Sequence, residues 1–231
     1  MEKKIIFWVV SLSLAAVALA ILLPGGRKVD TSPRLPWDIT VNANHEIEVF
    51  DLTLNKSLLA DARQIFQQQG KLNMFTTSSG HPALEAYFKR VFLSGLRADI
   101  ILVLNAEEDL LSALYDRGSR ISRSSDTTRK VELSSEDQRL AANLPIESIN
   151  YIPAANLDKS LVISRFGEAS EKITETETGM THWIYPEKGL SIGINPQGRE
   201  LLQYMPLEKI EPFIDRIREN NRLHEPNQDK G

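Results

Sequence analysis

Four histidines, His45, His81, His182 and His224, are the only imidazoles available for acid–base or metal chemistry, and the chain has no cysteine to share that work. A structural zinc site needs clustered imidazole or thiolate ligands, and these four are scattered. His45-Glu46 opens like a metalloprotease helix but lacks a second histidine at the required spacing. No GxxxxGK[ST] phosphate loop or GxSxG nucleophile elbow occurs, and Gly193 with Gly198 is too sparse for a dinucleotide turn. A serine triad is a spatial arrangement, so a hydrolase would require His81 or His182 to meet a Ser and an acid in a concave pocket. The sequence therefore predicts no catalytic, cofactor-binding or metal-ligating residue and a protein that is not an enzyme.

Recognition chemistry is better represented. In His182-Trp183-Ile184-Tyr185-Pro186, a strand would turn His182 and Ile184 one way and Trp183 and Tyr185 the other. Those aromatics could form a binding face, although packing beneath a helix from Asp158 to Phe166 is the preferred reading. Trp37, beside Pro36, is read more readily as a domain-edge packing residue than as a ligand anchor. His182, Trp183, Tyr185 and Trp37 are the candidate interaction residues. A second cluster sets Arg120, Arg123, Arg129 and Lys130 against Asp126 in a serine-rich stretch. It suits either a basic patch for anionic lipid or nucleic acid or a solvated linker. The absence of interleaved aromatics favours the linker.

These residues belong to a chain of 231, 42% hydrophobic, with a net charge of −4 that argues against a nucleic-acid binder. Ile5 to Leu23 carries no charge. Nineteen residues of helix would span about 28 Å, close to the hydrocarbon thickness of a bilayer. Lys3 and Lys4 with Ala18-Leu19-Ala20 would equally suit a cleaved export signal. The apolar run continues through that cleavage site, which favours an uncleaved anchor contacting membrane lipid. The expected location is the bacterial inner membrane, single-pass, with the body in the periplasm.

Beyond the Pro-rich tether, Ile39–Val41 and Glu46–Phe50 predict a hairpin. Asn55 or Ser57 would cap a helix to about Gln69, and Asn105 one to about Arg117. Strand signals lie near Leu72–Thr76, Leu84–Leu93 and Leu96–Leu104. In the second half, Ser134 or Ser135 starts a short helix, Ile146–Ile152 a strand, and Asp158 or Ser160 a helix ending at Phe166. Strands near Lys172–Thr176, Thr181–Tyr185, Leu190–Asn195 and Glu200–Tyr204 precede an amphipathic helix with Ile210, Phe213, Ile214 and Ile217. Pro212 either kinks that helix or marks its start.

Leu54-Asn55-Lys56-Ser57-Leu58-Leu59 matches Leu157-Asp158-Lys159-Ser160-Leu161-Val162 at a spacing of 103, which predicts a duplication with a longer first helix. Leu157-Asp158-Lys159-Ser160 with Phe166-Gly167, His182-Trp183-Ile184-Tyr185 and Gly189 to Gly198 resembles the SmpA/OmlA-type envelope modules of β-lactamase-inhibitor-protein-like fold. The resemblance covers about 50 residues. It departs from the family in lacking a lipid-bearing cysteine and in placing Glu168-Ala169 where a Pro is familiar. It implies docking onto other proteins and carries over no catalytic residue.

The expected fold class is α+β: a single transmembrane helix, then two related modules, each a helix on a small antiparallel sheet. The divisions are a cytoplasmic start (1–4), the span (5–23), a tether (24–36), a first module (37–117), a linker (118–133), a second module (134–221) and a polar tail (222–231). The expected function is a non-enzymatic accessory or scaffold protein in an envelope complex, with other envelope or membrane proteins as partners. The alternatives are a secreted or anchored inhibitor or ligand-binding module, and a hydrolase with a non-sequential site. No cofactor, nucleic acid or small-molecule substrate is implied.

Overall fold

The computed structural model describes residues 33–77, 82–118, 120–123, 128–196 and 199–224. Strands β1 (Thr40–Val41), β2 (Ile47–Val49) and β3 (Leu52–Thr53) form a small antiparallel sheet. Helix α1 (Leu59–Phe66) follows, then a meander of β4 (Lys71–Thr77), β5 (Ala83–Leu93) and β6 (Leu96–Leu104). Helix α2 (Glu108–Asp116), β7 (Arg120–Arg123), β8 (Thr128–Glu132), α3 (Ser135–Ala141) and β9 (Ile146–Pro153) come next. Helix α4 (Lys159–Phe166) leads into β10 (Glu171–Thr174), β11 (Thr181–Tyr185), β12 (Leu190–Ile194) and β13 (Leu201–Tyr204), and α5 (Ile210–His224) closes the fold.

The two expected small sheets are one. Ten strands run in the order β10-β11-β12-β13-β9-β6-β5-β4-β8-β7, antiparallel throughout. Strand β9 pairs with β6 on one side and β13 on the other, and so splices the two meanders. Separate sheets would each have left further edges with unpaired N–H and C=O groups. Residues 118–133, read as a linker, supply β7 and β8.

The register explains the core. A row of directly opposed residues crosses six strands as Trp183, Ile192, Leu202, Tyr151, Ile100 and Phe88. The neighbouring row runs Tyr185, Leu190, Tyr204, Ile149, Leu102, Ala86 and Leu72. All are buried in one apolar cluster with α1, α4 and the small sheet. The β2–β3 turn holds Phe50 and Asp51 at positive φ, and Phe50 stacks on Tyr151 at 5.3 Å and meets Tyr204 edge-on at 5.7 Å. Gly189 has a φ of 55°, and a Cβ there would strike Ile47 and the Met205 carbonyl, so the small sheet can sit this close only over glycine. On the opposite face, Ile184 joins Ile210, Phe213, Ile214 and Ile217 of α5. Pro212 lies in the first turn of α5, where a missing N–H costs nothing. At the β10 edge, the Asn221 amide donates to the Thr174 carbonyl and accepts from the Thr176 N–H, both at 2.8 Å.

Local expectations are also corrected. Helices α1 and α4 both have eight residues, because Gln67 turns left-handed after Phe66. They start at Leu59 and Lys159, an offset of 100, so the six-residue match at 103 is out of helical register. Asn55 and Ser57 do not cap α1; the Asp61 carboxylate accepts the Leu58 N–H at 2.8 Å. Asn105 does not cap α2 and gives its N–H to the Pro145 carbonyl. Ser134 and Asp158 do cap α3 and α4.

The expectation of a single-pass inner-membrane protein with a periplasmic body is corrected as well. Crossing takes about 20 consecutive apolar residues. Among the described residues no helix is long and apolar enough; the longest, α5, has 15 residues and is polar on its outer face. Residues 5–23, on which lipid contact was expected, lie outside the described residues.

Because β9 joins both halves, Ile149→Ala should cost about 2–5 kcal/mol and lower protection of β5 and β12 amides together in hydrogen–deuterium exchange. Loss of protection in one half alone would contradict a single cooperative sheet.

Candidate binding groove

Sequence reasoning required His182 to meet a serine and an acid for hydrolysis, and it meets both. Its Nδ1 lies 3.2 Å from Ser191 Oγ on the adjacent strand, and its Nε2 lies 3.2 Å from Glu175 Oε1. The second approach is too oblique for a hydrogen bond, leaving Nε2 buried without a directed partner. Phe213 of α5 stands edge-on over the imidazole at 5.5 Å. Ser191 is 0% and His182 3% exposed, so no carbonyl could reach the hydroxyl. The arrangement has the membership of a triad without a place for substrate. His182 instead packs α5 onto the sheet. Burial pushes its pKa below the ordinary 6.5, with the Glu175 carboxylate opposing.

Trp183 and Tyr185 are buried on the face toward α4, in line with the packing reading. Tyr185 leans against Phe166 at 6.2 Å, and its hydroxyl donates to the Gly167 carbonyl at 3.1 Å. The Lys172 ammonium caps the Trp183 ring at 3.7 Å. Neither offers an exposed aromatic face. Arg120 and Arg123 fall on edge strand β7, with Arg123 opposite Arg129 and Ser122 opposite Lys130 on β8. His81 lies outside the described residues.

Trp37 is placed differently. The strap Arg34–Asp38 crosses the end of the sheet and is pinned there. The buried Tyr204 hydroxyl donates to the Pro36 carbonyl at 2.7 Å, Arg34 pairs with Asp51 at 2.6 Å, and the Arg34 N–H reaches Ser94 Oγ at 2.6 Å. Trp37 is held edge-on to Phe166 at 6.4 Å, with the Arg165 guanidinium 4.6 Å above its ring. One side of this strap opens into a groove of about 360 Å³, within the ~300–1,000 Å³ usual for small-molecule sites.

Three further elements wall the groove. The Ser94-Gly95 turn, both residues at positive φ, brings Leu96 and Arg97 of β6 to one side. Tyr151 and Pro153 end β9 beneath it, and Ala154-Ala155 keep the space open by having almost no side chain. Leu161, Val162 and Phe166 of α4 close the far wall. Burial pushes the Tyr151 hydroxyl up to about 12, so it stays protonated. The only ionisable lining groups besides Tyr151 are Arg97 and Arg165. Neither has a carboxylate partner among the described residues, and both are exposed. Phe92, directly opposite Arg97 on β5, is 67% exposed at the same end of the hairpin.

Comparison with known proteins returns no matching family model, no matching curated protein and no matching solved structure. What the site does must therefore be read from its own chemistry.

A second cavity, about 410 Å³, lies on the α5 face and is polar. Four of its polar groups pair with one another, Lys209 with Glu147 at 2.9 Å and Gln203 with Asn150 at 3.2 Å, and Arg216 lies over the Phe213 ring. Among the described residues no three His, Asp or Glu converge to hold a metal ion. Of the sequence candidates, only Trp37 borders the groove. Its other walls come from residues about 60 and 120 positions further on, each reading as ordinary strand, turn or helix. The one local hint was Pro153-Ala154-Ala155, a break in an apolar pattern.

The depressed His182 pKa fixes a pH dependence. Above the unfolded value of 6.5 both states hold the ring neutral and stability is fully present. As pH falls below 6.5, the unfolded chain takes up a proton the buried ring resists, and stability is lost toward the folded pKa. His182→Gln should flatten the fall in the denaturation midpoint between about pH 7 and pH 5. An unchanged slope would assign the effect elsewhere.

Proposed function

We propose that this chain is a non-enzymatic binding protein whose recognition site is the groove between the Trp37 strap, the Gly95 turn and α4. One observation carries the reading: a partly buried Trp held by Phe166 and Arg165 walls an apolar cavity that the protein does not fill. A large aromatic fixed before binding contributes contact area at little entropic cost. Among the described lining residues no nucleophile stands beside a base, and the reading therefore rests on contact area rather than on a reacting group. The resemblance of residues 157–198 to docking modules is in keeping with work done by binding rather than turnover.

This reading takes up the ligand-binding alternative in preference to a scaffold acting through the Trp183–Tyr185 strand, whose aromatics are spent on the core. The neutral, environment-sensitive dye Nile red tests it. Trp37→Ala should weaken a saturable fluorescence increase by about tenfold, near 1.4 kcal/mol. Ala155→Trp, which fills the groove from an exposed position and spares the fold, should abolish it. A dye signal indifferent to both substitutions would refute the groove as the site.

A further inference from the structure

We infer that the occupant of the groove is a linear hydrocarbon chain ending in a carboxylate, a free acyl acid rather than a peptide segment. The inference rests on the groove being the binding site and adds the class of its ligand.

Two features argue it. The first is the scarcity of polar partners. Asn156 is the one uncharged amide side chain on the walls, and the residues around it are prolines, alanines and aliphatics. A peptide laid here would bury backbone N–H and C=O groups without partners, at a cost of about 1–3 kcal/mol each, whereas an alkyl chain has none to satisfy. The second is the charge. The chain as a whole is acidic at −4, yet this groove has two arginines on its walls and no carboxylate. Arg97 borders the groove at the β6 end, opposite Phe92, and Arg165 borders it from α4 with its guanidinium over Trp37, while no ion pair among the described residues engages either. An anion at the mouth would gain charge-assisted hydrogen bonds while the tail lies on Trp37, Leu161 and Phe166. A neutral ligand would leave both cations without a counter-ion, and a cationic one would be repelled.

Competition against Nile red on the full chain tests this with three probes of equal length: decanoate, decan-1-ol and decyltrimethylammonium. Decanoate should displace the dye at concentrations at least about tenfold lower than the alcohol, with the ammonium weakest. In the double variant Arg97→Gln, Arg165→Gln, with each competitor referred to that variant's own dye affinity, the advantage of decanoate over decan-1-ol should fall from about tenfold to about one. Equal competition by decanoate and decanol in the native protein would overturn the carboxylate assignment. Stronger competition by acetyl-Leu-Leu-Leu with a free C-terminus than by decanoate would overturn the acyl assignment in favour of a protein terminus. If none of the probes competes while the dye still depends on Trp37 and Ala155, the acyl inference fails and the groove stands. If the dye ignores both residues, the groove itself fails.

Discussion

The hydrogen bonds that β9 makes along both of its edges place β6 and β13 in a single ladder, and the rest of the body follows from that placement. With Tyr151 opposite Ile100 and Leu202, and Ile149 opposite Leu102 and Tyr204, the apolar rows of the two meanders meet without a step. A slip of one residue in β9 would turn every side chain of that strand to the other face and interrupt both rows at once. The small sheet depends on the same register, because Phe50 is held in its left-handed turn by Tyr151 and Tyr204, one from each row. The Tyr204 hydroxyl then fixes the Pro36 carbonyl, so the strap and its Trp37 are positioned by the central ladder.

Much of the local structure was legible in the sequence. Alternation in Leu84–Phe88 and Ala98–Leu102 marks β5 and β6, and the alternation at His182–Tyr185 predicts which faces those side chains take. Ser134 and Asp158 cap helices because their side-chain oxygens meet the free N–H groups three residues on. What pattern alone misses is pairing across distance. Nothing in Ile146–Ile152 says that both of its edges will be used, so a chain with two meanders reads as two modules. The basic stretch at 120–130 reads as linker because its charge outweighs short strand signals that only β4 makes sense of. The six-residue match misleads for a similar reason: identity at 103 falls three residues from the helical alignment at 100, so the shared letters sit at different points of the two turns.

The candidate site shows the same division. His182, the residue with the most evident chemistry, is placed beside Ser191 and Glu175 but spent on holding α5 to the sheet. Trp37, whose sequence context is plain, borders the open groove because Phe166 and Arg165 fix it edge and face, leaving one side unpacked. The groove exists through small residues as much as large ones, since Gly95, Ala154 and Ala155 mark where side chains stop. An inventory of reactive groups does not register such absences.

The two ends of the long sheet are finished differently, and this bears on self-association. At β10 the carboxamide of Asn221 occupies the Thr174 carbonyl and the Thr176 N–H as an incoming strand would, while Arg218 ties α5 to Glu171. At β7, among the described residues, no strand lies on the outer side. A strand arriving at β10 would have to displace the Asn221 carboxamide first, so that one side chain acts as an edge guard and makes strand addition costlier at this end of the ladder than at the other.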